Sequence, residues 1–494
     1  MKRIIALSVL SSMLAGLVSC GSDASENENN TTAVDSAVSE ESDAGGDGFI
    51  PDNLPEDLDF GGQTVTILGW NHYEDIEFEA EELTGDVVND AYYFRNLAVE
   101  DRLNVKLDFQ IETARGDSDD TFLPLLQNSV LSGSGSYDIA AAHSHRMSSA
   151  AASGLLANLL NVDYIDFDMP WWRQSLLSEA TLNGALFFAA GDISVSSLTR
   201  MQGIFFNNQL IIDYGLEDPY DLVLSGDWTL DKMEEMTKGL YLDLNGNNTK
   251  DEADRFGFCS DWVQLQAVYY TSGLRAVVHN ESGGLELSEL INSDRSIGVI
   301  EKMQNILHSS NDNTTIKVTD DDTIFREGRA LFYAFPLGLI SSSGFREADF
   351  EIGFVPWPKY DAGDNYITNL SNAYSIWSIP LDAKDADMSG AVMEAMASEG
   401  YRTITPAIFE TAYKVKYNNI DSQRQSEIFD MMREDMVFDL GRLFSYQFQF
   451  LTNEFANTIY NNRNDWSSRF ESNRSSLEAA IDELEETFSS FAEN

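Results

Sequence analysis

The globular part of the chain opens with Gln63-Thr64-Val65-Thr66-Ile67-Leu68, which alternates polar and apolar positions and follows the turn signal Asp59-Phe60-Gly61-Gly62. It reads as a first strand. From Glu81 to Leu103 the apolar residues Val87, Val88, Ala91, Phe94, Leu97, Ala98 and Leu103 recur at threes and fours, which predicts a helix. Asn104 to Phe109 gives a second strand, Thr121 to Leu131 a helix, and Tyr137 to Ala142 a third strand. That alternation implies right-handed parallel crossovers in an α/β sheet.

Later segments repeat the grammar with other residues. Ala185 to Ala189 and Gly203 to Asn207 read as strands flanking Gly191-Asp192, and a helix capped by Thr229 runs to about Leu240. Lys232 stands where a capping box would need an acid or amide. Ala330 to Phe335, Phe350 to Pro356 and Tyr374 to Ile379 have the apolar content of buried strands. The final pattern, Ser476 to Phe491, puts Leu477, Ile481, Leu484, Phe488 and Phe491 on one helical face, that of a helix packing onto a larger body.

The N-terminus departs from this pattern. Lys2 and Arg3 precede the apolar stretch Ile4 to Val18, the layout of an export signal. Its end, Leu17-Val18-Ser19-Cys20 followed by Gly21, resembles the lipobox of bacterial lipoproteins, which implies removal of residues 1–19 and a diacylglyceryl group on Cys20. Gly21 to Gly48 holds no Lys, Arg or aromatic residue and cannot bury enough apolar surface to fold, so 20–58 reads as an acidic, disordered tether. Its flexible reach is on the order of 30 Å.

Across 494 residues, 43% are hydrophobic, enough for two large cores, and the only other cysteine is Cys259. No disulfide framework exists once Cys20 is lipidated. With 31 basic and 82 acidic residues the formal charge is −51, which repels nucleic acid and favours cations and neutral ligands. There is no His-Glu-x-x-His, Gly-x-Ser-x-Gly, Walker loop, strand-linked Gly-x-Gly-x-x-Gly or Cys-x-x-Cys. A glycosidase acid pair leaves no local signature, so a secreted carbohydrate-active enzyme stays open as an alternative, as does a glycan-binding adhesin without transport.

A set of short stretches carries a resemblance. They are the lipobox, Tyr137-Asp138-Ile139 with Ser153 to Ala157, Asp166 to Trp172, Phe206-Asn207-Asn208, Glu217 to Tyr220, Gly226 to Leu230, Phe325 to Phe332 and Pro356 to Tyr360. In order and spacing the chain resembles the family 1 extracellular solute-binding proteins, lipoprotein receptors of ABC importers similar in plan to maltodextrin-binding proteins. The resemblance implies an α/β, two-lobed periplasmic-binding-protein type II fold with a hinge and an interlobe ligand cleft. It places the first lobe at 59–203 plus 373–415 and the second at 204–372 plus 416–494. It further implies a monomer on the outer face of the cell membrane, binding a carbohydrate and serving an ABC permease, without catalysis.

Open α/β sheets present ligand groups to the loops after their strands. Those loops offer Trp70 and His72, His145 and Arg146, Asp192, and Asp261 and Trp262 as substrate-binding candidates, pairing planar polar groups with aromatic faces as sugar recognition requires. Trp70 and Trp262 suit packing equally well. Trp171-Trp172, after the Pro170 turn, reads as structural. Matched to the family, His145 and Arg146 stand where maltose-type members have an Asp-Arg pair, Ala142 replaces a Trp, and Leu337 stands for a stacking Trp. Those departures weigh against maltodextrin itself.

One stretch points to a metal. Asp243, Asn245, Asn247, Thr249, Asp251 and Asp254 fall at positions 1, 3, 5, 7, 9 and 12 of a loop that would wrap a structural Ca²⁺. Asn248 replaces the usual Gly at position 6, and an Asp replaces the final Glu. Asn tolerates the backbone that turn needs, while the smaller charge weakens binding.

Overall fold

The structure, a computed structural model, describes residues 50–71, 77–114, 120–315, 322–341, 343–414 and 422–492. The export signal, Cys20, the tether up to residue 49 and His72 lie outside them. Eleven strands are present among the described residues: β1 Gln63–Trp70, β2 Val105–Glu112, β3 Ile139–His143, β4 Gln202–Asn207, β5 Phe256–Ser260, β6 Val277–His279, β7 Leu285–Leu287, β8 Asn313–Thr315, β9 Ala330–Pro336, β10 Ile352–Pro356 and β11 Ser375–Ser378. They form a four-stranded sheet in the order β11-β3-β1-β2, a five-stranded sheet in the order β10-β4-β9-β5-β8, and the hairpin β6-β7.

In the first sheet β1 runs parallel to β2 and β3, as the alternating pattern predicts, and β11 returns antiparallel on β3. Helix Val87–Leu103 is shorter than its apolar periodicity suggests. Gly85 turns left-handed at φ 81°, and Asp86 caps the next turn by accepting from the N–H groups of Val88 and Asn89. Helix Leu230–Thr237 starts at the expected cap, with Thr229 accepting from the N–H of Lys232 at 3.2 Å. The segment 185–189 is not a ladder strand. It is extended and buried, and meets β11 through the paired backbone bonds of Ala189 and Trp377 and through the Ser378 hydroxyl, which donates to Phe187 O at 2.5 Å.

The body includes residues ahead of the expected turn at 59–62. Asp52 accepts from both guanidinium nitrogens of Arg102, at 2.5 and 2.6 Å, and from Ser398 Oγ at 3.0 Å, which ties the end of the segment read as tether to the body. The sequence pattern also missed the longest helix, Ala386–Lys414. It packs along helix Val87–Leu103, and Gly400 lets it approach closely, since a Cβ there would lie 1.9 Å from the Asp192 carbonyl oxygen.

The strand directions decide where the loops meet. Because β11 is antiparallel to β3 with Ser375 opposite His143, the C-terminal ends of β1, β2 and β3 share an edge with the start of β11. In the second sheet Gln202 pairs with Pro336, and β5 runs parallel to β9, so the start of β4 shares an edge with the loops after β5, β9 and β10. Two antiparallel segments join these edges. Met201 bridges Leu370, the Gln202 N–H donates to Asn369 O at 2.9 Å, and the Ser371 N–H donates to Arg200 O at 2.8 Å. The functional edges of both sheets therefore end on one pair of crossing strands.

The last helix packs across the body. Helix Trp466–Phe491 extends a full ten residues ahead of its predicted start, since Trp466 and Phe470 continue the stripe of Leu477, Ile481 and Leu484. Its first residue donates from the indole to Ile291 O at 2.9 Å, while Phe488 packs edge-on against Phe187 at 4.8 Å. One helix thus touches both the segment after the β6-β7 hairpin and the buried segment 185–189.

Candidate ligand-binding site

The crossing strands carry polar groups that the fold leaves unused. Gln202 is 1% exposed, yet neither its Oε1 nor its Nε2 has a hydrogen-bond partner among the described residues. Across from it, Asn369 Oδ1 is likewise without a partner, as is Gln264 Oε1 in the loop after β5. Buried carboxamides in this condition are rare, because each orphaned atom costs on the order of 1–3 kcal/mol unless water or a ligand completes it. These groups lie on the crossing strands and on the edge of the second sheet that meets them.

Segment 437–450 packs over the same junction. Arg442 donates to Leu370 O at 2.8 Å on the crossing strand and to Gln266 Oε1 at 3.2 Å, so one side chain links it to the residues after β5. Beside it a cavity of about 10 Å³, roughly one water, is lined by Asn372, Tyr374, Phe438 and Arg442.

At the first sheet's edge, His143 caps helix Ser144–Ala152 by accepting from the His145 N–H at 3.2 Å. The caps turn His145 and Arg146 toward segment 437–450. The His145 ring lies 6.0 Å from both Tyr446 and Phe450, and Arg146 sits 5.1 Å over the Tyr446 ring while pairing with Asp120 at 2.5 Å. Burial, together with the nearby charges of Arg442 and Arg146, holds the His145 imidazole down at about 3, so it is neutral. A neutral His serves as a hydrogen-bonding platform rather than a charge.

The other predicted residues separate. Trp70 is fully buried, its indole donating to Ser375 Oγ at 2.9 Å, which makes it part of the first sheet's core rather than a ligand platform. Asp192 is also fully buried and is clamped between Arg173 at 2.7 Å and Arg433 at 2.9 Å. It locks the loop before the crossing to helix Ser422–Glu434 and does not face a ligand space. Asp261 caps its own turn, accepting from the Gln264 N–H at 2.9 Å, and leaves Trp262 half-buried on the second sheet's edge. Trp171 and Trp172 donate to Glu394 at 3.0 and 2.9 Å, a buried structural arrangement. Gln202, Asn369, Gln264, Arg442, Tyr446 and Phe450 were not singled out by the sequence, because carboxamides and scattered aromatics on separate segments leave no local motif.

The loop at 243–254 takes the turn that a wrapped cation needs. Asp243 accepts from the N–H groups of Gly246 and Asn248, both at 2.7 Å, and those two residues are left-handed at φ 71° and 60°. Asn245 and Asn247 accept from the N–H groups two residues on, at 2.9 and 2.7 Å. Asp251 accepts from both Asn side chains, and Asp254, fully buried, accepts from the Tyr241 hydroxyl at 2.9 Å. Three aspartates and two carboxamides thus line one short loop, although among the described residues no group of three or more His, Cys, Asp or Glu side chains is gathered for a metal.

No family model and no curated protein sequence matches the chain. Solved structures do. The UgpB protein of Mycobacterium tuberculosis, solved with glycerophosphocholine, is similar over 84% of this chain and 98% of its own at TM-score 0.55 and 15% identity. The ABC substrate-binding protein Lmo0181 of Listeria monocytogenes, solved with cycloalternan, is similar over 86% and 99% at 0.52 and 13%. The GacH receptor of Streptomyces glaucescens, solved with acarbose, is similar over 88% and 99% at 0.52 and 12%. Likeness over nearly the whole of each relative, with two sheets meeting at crossing strands, establishes one conclusion: this chain has the two-lobed α/β fold of the ABC substrate-binding proteins.

Proposed function

We propose that the protein is an extracellular solute receptor, anchored through a lipid on Cys20, that captures a carbohydrate between its two sheets by hinge closure and delivers it to an ABC permease. The observation that carries this reading is Gln202, a fully buried carboxamide with both atoms unpartnered on a strand where two sheet edges converge. Planar amides offer a donor and an acceptor side by side, the complement of a sugar's vicinal hydroxyls. Neutral His145 and the rings of Tyr446, Phe450 and Trp262 supply faces for C–H surfaces. A net charge of −51 fits a neutral guest better than an anionic one. The similar proteins solved with cycloalternan and acarbose lend support to an oligosaccharide.

Ligand shifts a hinge only by its different affinity for the open and closed forms, so binding and closure should appear together. Calorimetric titration of the mature chain against linear, cyclic and branched oligosaccharides, with glycerophosphodiesters as the contrasting class, tests the reading. A binding oligosaccharide that compacts the protein in small-angle scattering, and that Gln202→Leu weakens by about tenfold or more, supports it. Cleavage of the glycan, or binding only to glycerophosphodiesters, sinks it. We further propose Ca²⁺ as a structural ligand of Asp243, Asn245, Asn247, Thr249, Asp251 and Asp254, whose oxygens match its hard-ligand preference.

A further inference from the structure

Residues 444–450 form a wall with a different space on each side. On one side Tyr446 and Phe450 lie against His145 and Arg146 at the first sheet's edge. Behind the wall, Phe448 faces a pocket of about 140 Å³ between helices Leu451–Tyr460 and Trp466–Phe491. A cavity of roughly 150 Å³ holds one benzene-sized ring, so this pocket is sized for a single six-membered ring.

The lining selects among rings. Phe448, Trp466 and Phe470 form the floor and are 0%, 3% and 2% exposed, so they are already covered and a purely apolar guest gains little from them. The rim is polar: Gln449, Glu454, Arg469 and Asn473. Glu454 and Arg469 pair at 3.1 Å, which leaves the rim without net charge and favours neither an anion nor a cation. The two carboxamides each present a donor and an acceptor. Trp466 and Phe470 stack on each other, their rings at 24° with centroids 6.4 Å apart, which fixes the floor beneath that rim. A neutral ring with hydroxyls around its edge meets the conditions set by this rim.

The wall itself is held under strain. Gln449 and Phe450 are consecutive non-glycine residues at φ 52°, a left-handed conformation that bulky residues adopt only when their surroundings impose it. Phe448 and Gln449 line the pocket, and their chain neighbours Tyr446 and Phe450 lie beside His145.

We propose that this pocket is a second binding site, outside the cleft, for one monosaccharide ring, and that its occupant tunes the cleft through residues 444–450. The tuning rests on the carbohydrate reading of the cleft; the pocket does not. Saturation-transfer NMR of the full mature chain with glucose, galactose and mannose tests the site. The expected signal survives Gln202→Leu, falls about tenfold or more in Asn473→Trp, which fills the mouth from an exposed position, and falls likewise in Arg469→Ala. Saturating monosaccharide should also shift oligosaccharide affinity about threefold or more in the wild type and not in Asn473→Trp. A signal lost in Gln202→Leu, one untouched by Asn473→Trp, or preferential binding of phenol overturns the second site. A cleft that binds no oligosaccharide overturns the receptor reading instead, and the monosaccharide signal still decides the pocket.

Discussion

The indole Nε1 of Trp70 donates to the Oγ of Ser375 at 2.9 Å, joining the last residue of β1 to the first of β11 across 305 positions of chain. Both groups are buried, so Trp70→Phe leaves the Ser375 hydroxyl short of a donor and the cavity underfilled. A loss of about 1–3 kcal/mol is expected. Urea unfolding measures it. Ligand affinity should stay within about twofold; a tenfold loss would instead make Trp70 a ligand contact.

Asp192 gives a sharper contrast. Its carboxylate is fully buried and pairs with Arg173, 8% exposed, and with Arg433, 21% exposed. Asp192→Ala leaves a buried guanidinium without its counter-charge, which costs about 3–5 kcal/mol. Arg433→Met keeps the Arg173 pair and removes a partly exposed partner, so about 1–2 kcal/mol or less is expected. Equal losses in denaturant titrations of the two variants would show that the lock is not built around Arg173.

The sequence revealed the first sheet because its signals are local, β-branched alternation in β1 and a short third strand with helices between, although the face of helix Val87–Leu103 was misjudged: Phe94 and Leu97 are exposed, while Asn89 and Arg95 are buried. The crossing strands were hidden for the opposite reason. Gln202 and Asn369 lie 167 positions apart and mean something only once β4 and the segment before β11 run side by side. Placing ligand contacts in the loops after strands singled out His145, Arg146 and Trp262, which lie at the sheet edges. It could not separate them from Trp70 and Asp192, whose burial depends on partners such as Ser375 and Arg433 supplied by distant segments.

His145 makes stability depend on pH with a definite sign. Its folded value of about 3 lies below the ordinary imidazole value of 6.5, so between those limits the unfolded chain binds more protons and stability rises with pH. The slope is at most about 1.4 kcal/mol per pH unit. Glu179 and Glu394 act oppositely. Burial pushes both up to about 7, from 4.5, with Asp439 adding repulsion at Glu179, so they favour folding at low pH and that contribution is lost as pH rises through this window. His145→Asn should therefore raise the acid side of a melting-temperature profile relative to neutral pH, whereas Glu179→Gln should raise the neutral side relative to acid. Parallel profiles for wild type and His145→Asn between pH 4 and 6 would show that the imidazole is charged in the fold.

The loop at 243–254 makes the last prediction, because its backbone already holds the turn and only the cation's contribution is in question. Two of its five side-chain oxygens come from amides and the closing residue is an aspartate, so affinity should fall in the weak range of extracellular modules, Kd on the order of 10⁻⁴–10⁻³ M. A ligand that binds only the folded state at ten times its Kd adds about 1.4 kcal/mol. Calcium in the millimolar range should raise the melting temperature, and chelator should reverse the rise. Asp243→Ala should abolish the effect, since it removes the carboxylate that accepts from both left-handed residues as well as the first ligand. The Tyr241 hydroxyl is 2.9 Å from Asp254, close enough to sensitise terbium bound in the loop. Terbium emission on excitation of tyrosine, displaced by calcium and absent in Asp243→Ala, would place the ion there; a melting temperature indifferent to calcium, with no such emission, would make the loop a self-sufficient set of turns.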